Sequence, residues 1–139
     1  MNTLAKKVVE KMMSADWFSQ WLGIEVLEAS EGKSKLQLKV RKEMLNGFAI
    51  AHGGITYSIA DSALAFASNS YGRMSVSIET SISHTKQVKE GETITATAKE
   101  LSKTDKIAIY QIDITNEQND VVALFKGTVY RTHKDWQVE

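Results

Sequence analysis

Residues 46–70 decide the fold, and they read NGFAIAHGGITYSIADSALAFASNS. From position 55 onward almost every side chain in this stretch is apolar or small. This composition predicts a helix over residues 55–70 that is buried on all sides. Gly72 follows and is suited to end the helix, and the small side chains would let a β-sheet approach it closely.

The N-terminal segment, residues 1–22, is also predicted to be helical. Apolar residues recur every four positions from Leu4 to Met12, which indicates an amphipathic helix within residues 3–22. Asp16 is suited to cap a second, short helical turn. The aromatic side chains of that turn could form a lid or a lipid-facing patch, but we expect them to pack on the domain; they are Trp17, Phe18 and Trp21.

Alternating apolar and polar residues predict strands on both sides of the buried helix. Two strands precede it and four follow, with turns at 30–33, 89–92, 103–106 and 116–120. The order predicts a single α+β domain over residues 1–139, in which about six mostly antiparallel strands fold around one long helix. Because edge strands need partners, we expect a dimer. The first strand after the helix should place four residues on one face: Val76, Ile78, Thr80 and Ile82.

Composition excludes several classes of function. The 139 residues carry 17 basic and 17 acidic side chains, so nothing indicates a nucleic-acid partner. Cysteine is absent, which rules out disulfides, thiolate zinc sites and a cysteine nucleophile. No apolar run approaches the roughly 20 residues of a membrane span. The N-terminus lacks the pattern of a signal peptide, so we expect the cytoplasm and no membrane partner.

The glycines before the buried helix, and an acid within it, are the candidate reactive groups. Gly53 and Gly54 stand where a helix exposes free N–H groups and a partial positive charge, which could hold an oxyanion. The glycines could equally form only a tight loop. Burying the Asp61 carboxylate in an apolar helix costs free energy, so we expect the side chain to be paired or functional. It could instead bond a backbone group or face an interface.

These two groups cannot both reach one atom within a single chain. Asp61 follows Gly54 by two helical turns, so the two lie roughly 10 to 12 Å apart along the axis. Either only one of them matters, or the site is shared between subunits. A two-fold axis that sets two such helices antiparallel would bring Gly53 of one chain beside Asp61 of the other.

The available chemistry is a carboxylate base and a helix N-terminus. No Ser-His-Asp arrangement or metal-ligand cluster is evident, and the histidines at 52, 84 and 133 are scattered. A carboxylate and a helix N-terminus suffice to hydrolyse an activated acyl group whose leaving group needs no protonation, such as a thiol of pKa about 8.5. Thioester hydrolysis is therefore a natural candidate, although the residues alone do not name it.

The motif Asn46-Gly47, His52-Gly53-Gly54, Ala60-Asp61 and Asn69-Ser70-x-Gly72 resembles the signature of hotdog-fold acyl-CoA thioesterases of the PaaI (phenylacetic acid degradation) type. The similarity runs from about residue 21 to residue 131. The resemblance implies a curved antiparallel sheet around a long helix, in dimers and usually in dimers of dimers. It also implies hydrolysis of aryl-CoA or short- to medium-chain acyl-CoA, with no metal and no cofactor beyond the CoA of the substrate.

The resemblance also implies a role for individual residues. Gly53 would donate its N–H to the thioester carbonyl, Asn46 would line the pocket, and His52 would orient it. Asp61 of the neighbouring subunit would be general base or nucleophile. Ser77 would position water, a task that Thr80 could serve instead. Gly54 and Lys86 are further candidates for binding substrate. Relatives commonly carry a proline where this chain has Thr85-Lys86-Gln87-Val88.

Two other functions stay open from the sequence. One is a hotdog hydratase or dehydratase, which would need a histidine paired with an acidic residue over the substrate. His52 precedes the glycines and the helix offers only Asp61, which disfavours this function. The other is a protein that binds acyl-CoA without catalysis.

Overall fold

The computed structural model describes residues 3–139, so the first two residues of the predicted 1–22 helical segment lie outside the described part. This described part contains three α-helices: α1 (Leu4–Ala15), α2 (Trp17–Trp21) and α3 (Gly53–Asn69). The strands are β1 (Glu25–Ser30), β2 (Lys33–Lys39), β3 (Arg73–His84), β4 (Thr93–Lys103), β5 (Ile107–Thr115) and β6 (Val121–Asp135). Among residues 3–139 we find no helix with the length and apolar character that crossing a bilayer requires.

The six strands form one sheet in the order β1-β2-β4-β5-β6-β3, and every neighbouring pair is antiparallel. Helix α3 packs against one face of this sheet, and the fully buried side chains of Ile59, Phe66 and Ile112 meet in the core between them. The prediction of an α+β fold with a sheet around one long helix is therefore confirmed.

A glycine on β6 permits the close packing of α3 on the sheet. A Cβ atom added to Gly127 would collide with the side chain of Leu64, which is itself almost completely buried. On the helix side, Ala60, Ala63 and Ala67 are buried without occupying much space. Small residues on both surfaces thus let the helix axis lie near the strands, as the composition predicts.

The side chain of Asn69 fixes the end of α3. Its amide nitrogen donates to the carbonyls of Ala65 (2.8 Å) and Ser75 (3.1 Å). Its oxygen accepts from the Ser75 N–H (2.9 Å) and the Trp136 indole (2.8 Å). Because this fully bonded side chain is buried, it sets the level of α3 relative to β3 and to the C-terminal residues.

A β-bulge overturns the predicted face of β3. The register against β6 shifts between Ser77 and Glu79. Ser77 lies opposite the buried Val129, and beyond the bulge Thr80 lies opposite Gly127. Paired residues share a face, so Ser77 and Thr80 both face α3. The extra residue reverses the alternation along the strand. The prediction that Val76, Ile78, Thr80 and Ile82 share one face is therefore wrong.

The β3 strand is an edge of the sheet and exposes apolar side chains. Val76 and Ile78 are 55% and 58% exposed. The side of β3 away from β6 pairs with no strand among residues 3–139. This open, apolar edge is the kind of surface that a second strand covers.

The aromatic side chains of α2 lie outside the core, contrary to expectation. Asp16 does cap α2 by accepting from the Ser19 N–H (2.9 Å), as predicted. Ser19 is buried and its hydroxyl lies 2.8 Å from that of Ser62 on α3. Because the buried face of this five-residue helix is formed by a small side chain, the aromatic rings point outward. The exposed fractions are 72% for Trp17, 54% for Phe18 and 51% for Trp21.

Candidate active site

The loop before α3 is held closed by its own hydrogen bonds. The Asn46 N–H donates to the Ile50 carbonyl (2.8 Å), and the Asn46 side-chain oxygen accepts from the Phe48 N–H (2.9 Å). The Ala51 N–H donates to the Val88 carbonyl (2.7 Å) and ties the loop to the segment before β4. The Asn46 side-chain nitrogen has no acceptor within residues 3–139, which leaves it able to donate to a ligand.

His52 caps α3 and leaves one amide free. Its Nδ1 accepts from the Gly54 N–H (2.9 Å), so that amide is engaged. The Gly53 N–H, the first of the helix, finds no acceptor in the described part of the chain. This free donor carries the partial positive charge of the helix N-terminus, which favours a developing oxyanion. The predicted orienting role of His52 and the substrate contact of Gly54 remain predictions.

A cleft of about 380 Å³ opens beside the free amide. It is lined by Asn46, Gly53, Thr56, His84 and Lys86, among others. His84 is a residue that sequence reasoning missed, because it appeared as one of three scattered histidines. Its position depends on the register between the end of β3 and the start of α3, which local sequence does not reveal.

Asp61 is a half-buried carboxylate without a hydrogen-bonding partner in residues 3–139. Burial raises the pKa of Asp61 above its usual range, and the negative charge of Asp16 adds to the increase. Both causes disfavour the ionised form, so they make the carboxylate a better proton acceptor once it is ionised.

Asp61 and Gly53 do not meet within one chain. Both belong to α3, which starts at Gly53, and eight residues along a helix correspond to about 12 Å. One reacting carbon would have to lie about 3 Å from each group. Within a single copy of this chain the two groups therefore cannot act on the same carbon.

Contacts between α3 and β3 place Ser77 near the level of Asp61. The two elements run antiparallel: Thr56 in the first turn of α3 contacts His84, the next residue, Tyr57, hydrogen bonds Thr80, and Asn69 at the end of α3 bonds Ser75. One further turn along α3 is Asp61, and the α3-facing residue before Thr80 on β3 is Ser77. This order favours Ser77 over Thr80 as the water-positioning hydroxyl, a role that stays a prediction.

Lys86 lies at the rim of the same cleft. Its ammonium group is 2.7 Å from the Asp120 carboxylate, and this hydrogen bond raises the pKa of Lys86. An exposed pair of this kind contributes little stability and can exchange partners. The predicted substrate contact of Lys86 stays open. Elsewhere in residues 3–139, no three His, Asp or Glu side chains are grouped so as to hold a metal ion.

Comparison with known proteins agrees with this geometry. The family model described as the thioesterase superfamily matches residues 48–123, more than half of the chain. The chain belongs to this superfamily. This thioesterase is 41% identical over 135 residues to a putative esterase from Archaeoglobus fulgidus, covering 97% of this chain and 88% of that protein.

A second relative identifies the type of thioesterase. The acyl-coenzyme A thioesterase PaaI of Escherichia coli is 36% identical over 131 residues, and the match covers 94% of each protein. The solved structure of the E. coli PaaI protein superposes with a TM-score of 0.93 at 33% identity, covering 95% of this chain and 96% of that one. The resemblance to PaaI-type hotdog thioesterases is thus confirmed, and thioester hydrolysis is the class of activity.

Proposed function

We propose that this thioesterase hydrolyses acyl-CoA thioesters with aryl or short- to medium-chain acyl groups, at a site shared by two copies of the chain. One observation carries the proposal. The free N–H of Gly53 borders a cleft, and the Asp61 carboxylate has no hydrogen-bonding partner among the described residues. Both groups lie on α3, but they are too far apart to act together in one chain. Two antiparallel copies of α3 would bring them into one site.

The open edge of β3 provides a way to pair two copies. If two β3 edges hydrogen bond antiparallel, the sheet continues across the dimer and covers Val76 and Ile78. The two α3 helices, which pack on the same side, then lie side by side in opposite directions. Gly53 of one copy would face Asp61 of the partner subunit. The resemblance to PaaI-type thioesterases implies that two such dimers associate further. It also implies an enzyme that works in the cytoplasm without a metal or an added cofactor.

The reaction then divides between the two chains. The thioester carbonyl accepts from the Gly53 N–H, and the Asn46 side chain donates from the same loop. Water adds to the carbonyl carbon and passes a proton to Asp61 of the partner subunit, while negative charge collects on the oxygen beside Gly53. The intermediate collapses, the carbon–sulfur bond breaks, and CoA leaves as a thiolate. Alternatively, Asp61 attacks directly and water cleaves the resulting anhydride; single-turnover hydrolysis in oxygen-18 water distinguishes the two routes.

A panel of acyl-CoA substrates tests this function. We expect the protein to release free CoA thiol from phenylacetyl-, benzoyl- and butyryl-CoA, with one acyl class clearly preferred. Crotonyl-CoA, assayed for water addition across its double bond, should stay unhydrated. Hydration of crotonyl-CoA without thiol release would instead indicate a hydratase. Tight binding of acyl-CoA with neither reaction would indicate a protein that only binds.

We expect Asp16→Asn to shift the acid side of the pH profile of kcat/KM to lower pH. Asp61 must be ionised to accept a proton, so its raised pKa makes activity disappear at a higher pH than for an ordinary carboxyl group. Removing the charge of Asp16 lowers the Asp61 pKa and extends activity toward acid. Asparagine can still cap α2 through its side-chain oxygen, so the helix should persist.

The matched control for this pH experiment is Asp135→Asn, which removes an exposed acid at the end of β6. Its pH profile should coincide with that of the unchanged protein. An identical acid limb in all three proteins would show that the charge of Asp16 does not reach the catalytic base.

A further inference from the structure

His84 stands next to the free amide but has no role in the reaction described so far. It lies at the end of β3 and lines the cleft with Gly53. A Cβ atom placed on Gly53 would be only 3.3 Å from His84 Nε2. The Nε2 atom is thus positioned to contact whatever occupies the space beside the Gly53 amide.

The contacts of Thr56 favour one of the two neutral tautomers of His84. We assign the single hydrogen of the Thr56 hydroxyl to the Gly53 carbonyl, which is the shorter of its two contacts (3.0 Å) and can only accept. The same oxygen lies 3.2 Å from His84 Nδ1, and it can only accept there. With this assignment Nδ1 bears the hydrogen, and in the neutral ring Nε2 presents a lone pair to the cleft. This nitrogen is a hydrogen-bond acceptor beside a hydrogen-bond donor.

An acyl-CoA thioester carries matching groups in the same order. Its carbonyl oxygen is an acceptor for the Gly53 amide. Two methylene groups beyond the sulfur, the pantetheine arm has an amide whose N–H is a donor. A ligand that places its carbonyl on Gly53 and extends past His84 toward residues 85–88 would present that N–H to the acceptor nitrogen.

We propose that Nε2 of His84 accepts a hydrogen bond from the pantetheine amide nearest the thioester sulfur, and that His84 thereby selects CoA thioesters over thioesters without this amide. The inference rests on the proposed function, because it assumes that the thioester carbonyl binds Gly53. The contact is the same before and during reaction, so it should affect KM rather than kcat.

Two phenylacetyl thioesters test the contact. One is the thioester of N-acetylcysteamine, which retains the amide; in the other, a methylene group replaces the NH and leaves a ketone. We expect the unchanged protein to prefer the amide thioester by roughly 3- to 10-fold in kcat/KM, the effect of one neutral hydrogen bond, through a lower KM. In His84→Phe, which keeps a ring but no nitrogen, the two thioesters should react with nearly equal kcat/KM.

Further variants separate this contact from a loss of structure. His133→Phe changes an exposed histidine on β6 outside the cleft and should keep the full preference. Thr56→Val removes the acceptor that fixes Nδ1 and should reduce the preference, whereas Thr56→Ser should restore it. These two variants test the contact even if His84→Phe does not fold.

The results distinguish this inference from the proposed function. If His84→Phe keeps the preference, or slows both thioesters equally, the inference is overturned while thioesterase activity stands. If the unchanged protein hydrolyses both thioesters equally, the inference is likewise overturned. If it hydrolyses neither of them and no acyl-CoA, both the inference and the proposed function are wrong.

Discussion

Asp61→Asn is expected to lower kcat for acyl-CoA hydrolysis by roughly 10²- to 10⁴-fold, the usual contribution of a general base. The substitution preserves the size of the side chain but removes its ability to accept a proton from water. Binding of acyl-CoA should be retained, because the Gly53 amide and the cleft beside it are unchanged. Steady-state kinetics and calorimetric binding of the substrate to the variant measure the two effects separately.

The stability of Asp61→Asn provides an internal check. The pKa of Asp61 is raised in the folded protein, so folding favours its protonated form and stability falls as pH rises through that range. At pH 7 the ionised carboxylate therefore opposes folding, and asparagine should increase Tm. The increase should shrink as the pH is lowered and both proteins become neutral at this position.

The control for Asp61→Asn is Asp135→Asn, which should change neither kcat nor the pH dependence of Tm. An Asp61→Asn protein that is well folded and retains full kcat would remove Asp61 from the mechanism. Loss of binding together with loss of turnover would point to a role in holding the substrate instead.

Mixing Gly53→Val chains with Asp61→Asn chains is expected to restore activity from near zero to about a quarter of the unchanged protein, because sites form across a two-fold interface. Valine fills the space beside the free amide, where even a Cβ would lie 3.3 Å from His84 Nε2. Each variant alone has no intact site. A heterodimer has one, built from the Gly53 of one chain and the Asp61 of the other, and random exchange makes half of the dimers heterodimers.

The complementary mixture is the matched control for this complementation. Chains carrying both substitutions, mixed with an equal amount of unchanged chains, give heterodimers in which each site has one damaged half. Activity should then fall to about half of that of the unchanged chains measured alone. If exchange is demonstrated by mass spectrometry and the first mixture stays inactive, the site lies within one chain and the proposed dimer is wrong.

Local sequence predicted the elements of this fold because each depends on neighbours in the chain. The apolar composition of 55–70 indicated the buried helix, and alternation with turn residues indicated all six strands. The cap at Asp16 followed from the preference of short acidic side chains for free N–H groups. Helix α3 begins at Gly53 rather than at the predicted position 55, since the two glycines already adopt helical geometry, and it ends at Asn69, one residue before the predicted end.

Predictions failed where packing decides. The bulge in β3 adds one residue to the spacing between Ser77 and Thr80, and it is visible only in the pairing with β6. The exposed rings of α2 depend on which side of a five-residue helix contacts α3. His84 acquires significance only because β3 ends against the first turn of α3.

By itself, the sequence determined the order of helices and strands, the candidate reactive groups Gly53 and Asp61, and, through its motif, the thioesterase family. The tertiary structure decided which donors are free, that the two groups are separated along α3, and that His84 lines the cleft beside the Gly53 amide. The physical reason is one of range. Helical and strand periodicity arise from residues close in the chain, whereas the hydrogen bonds that occupy or free an amide join residues that only folding brings together.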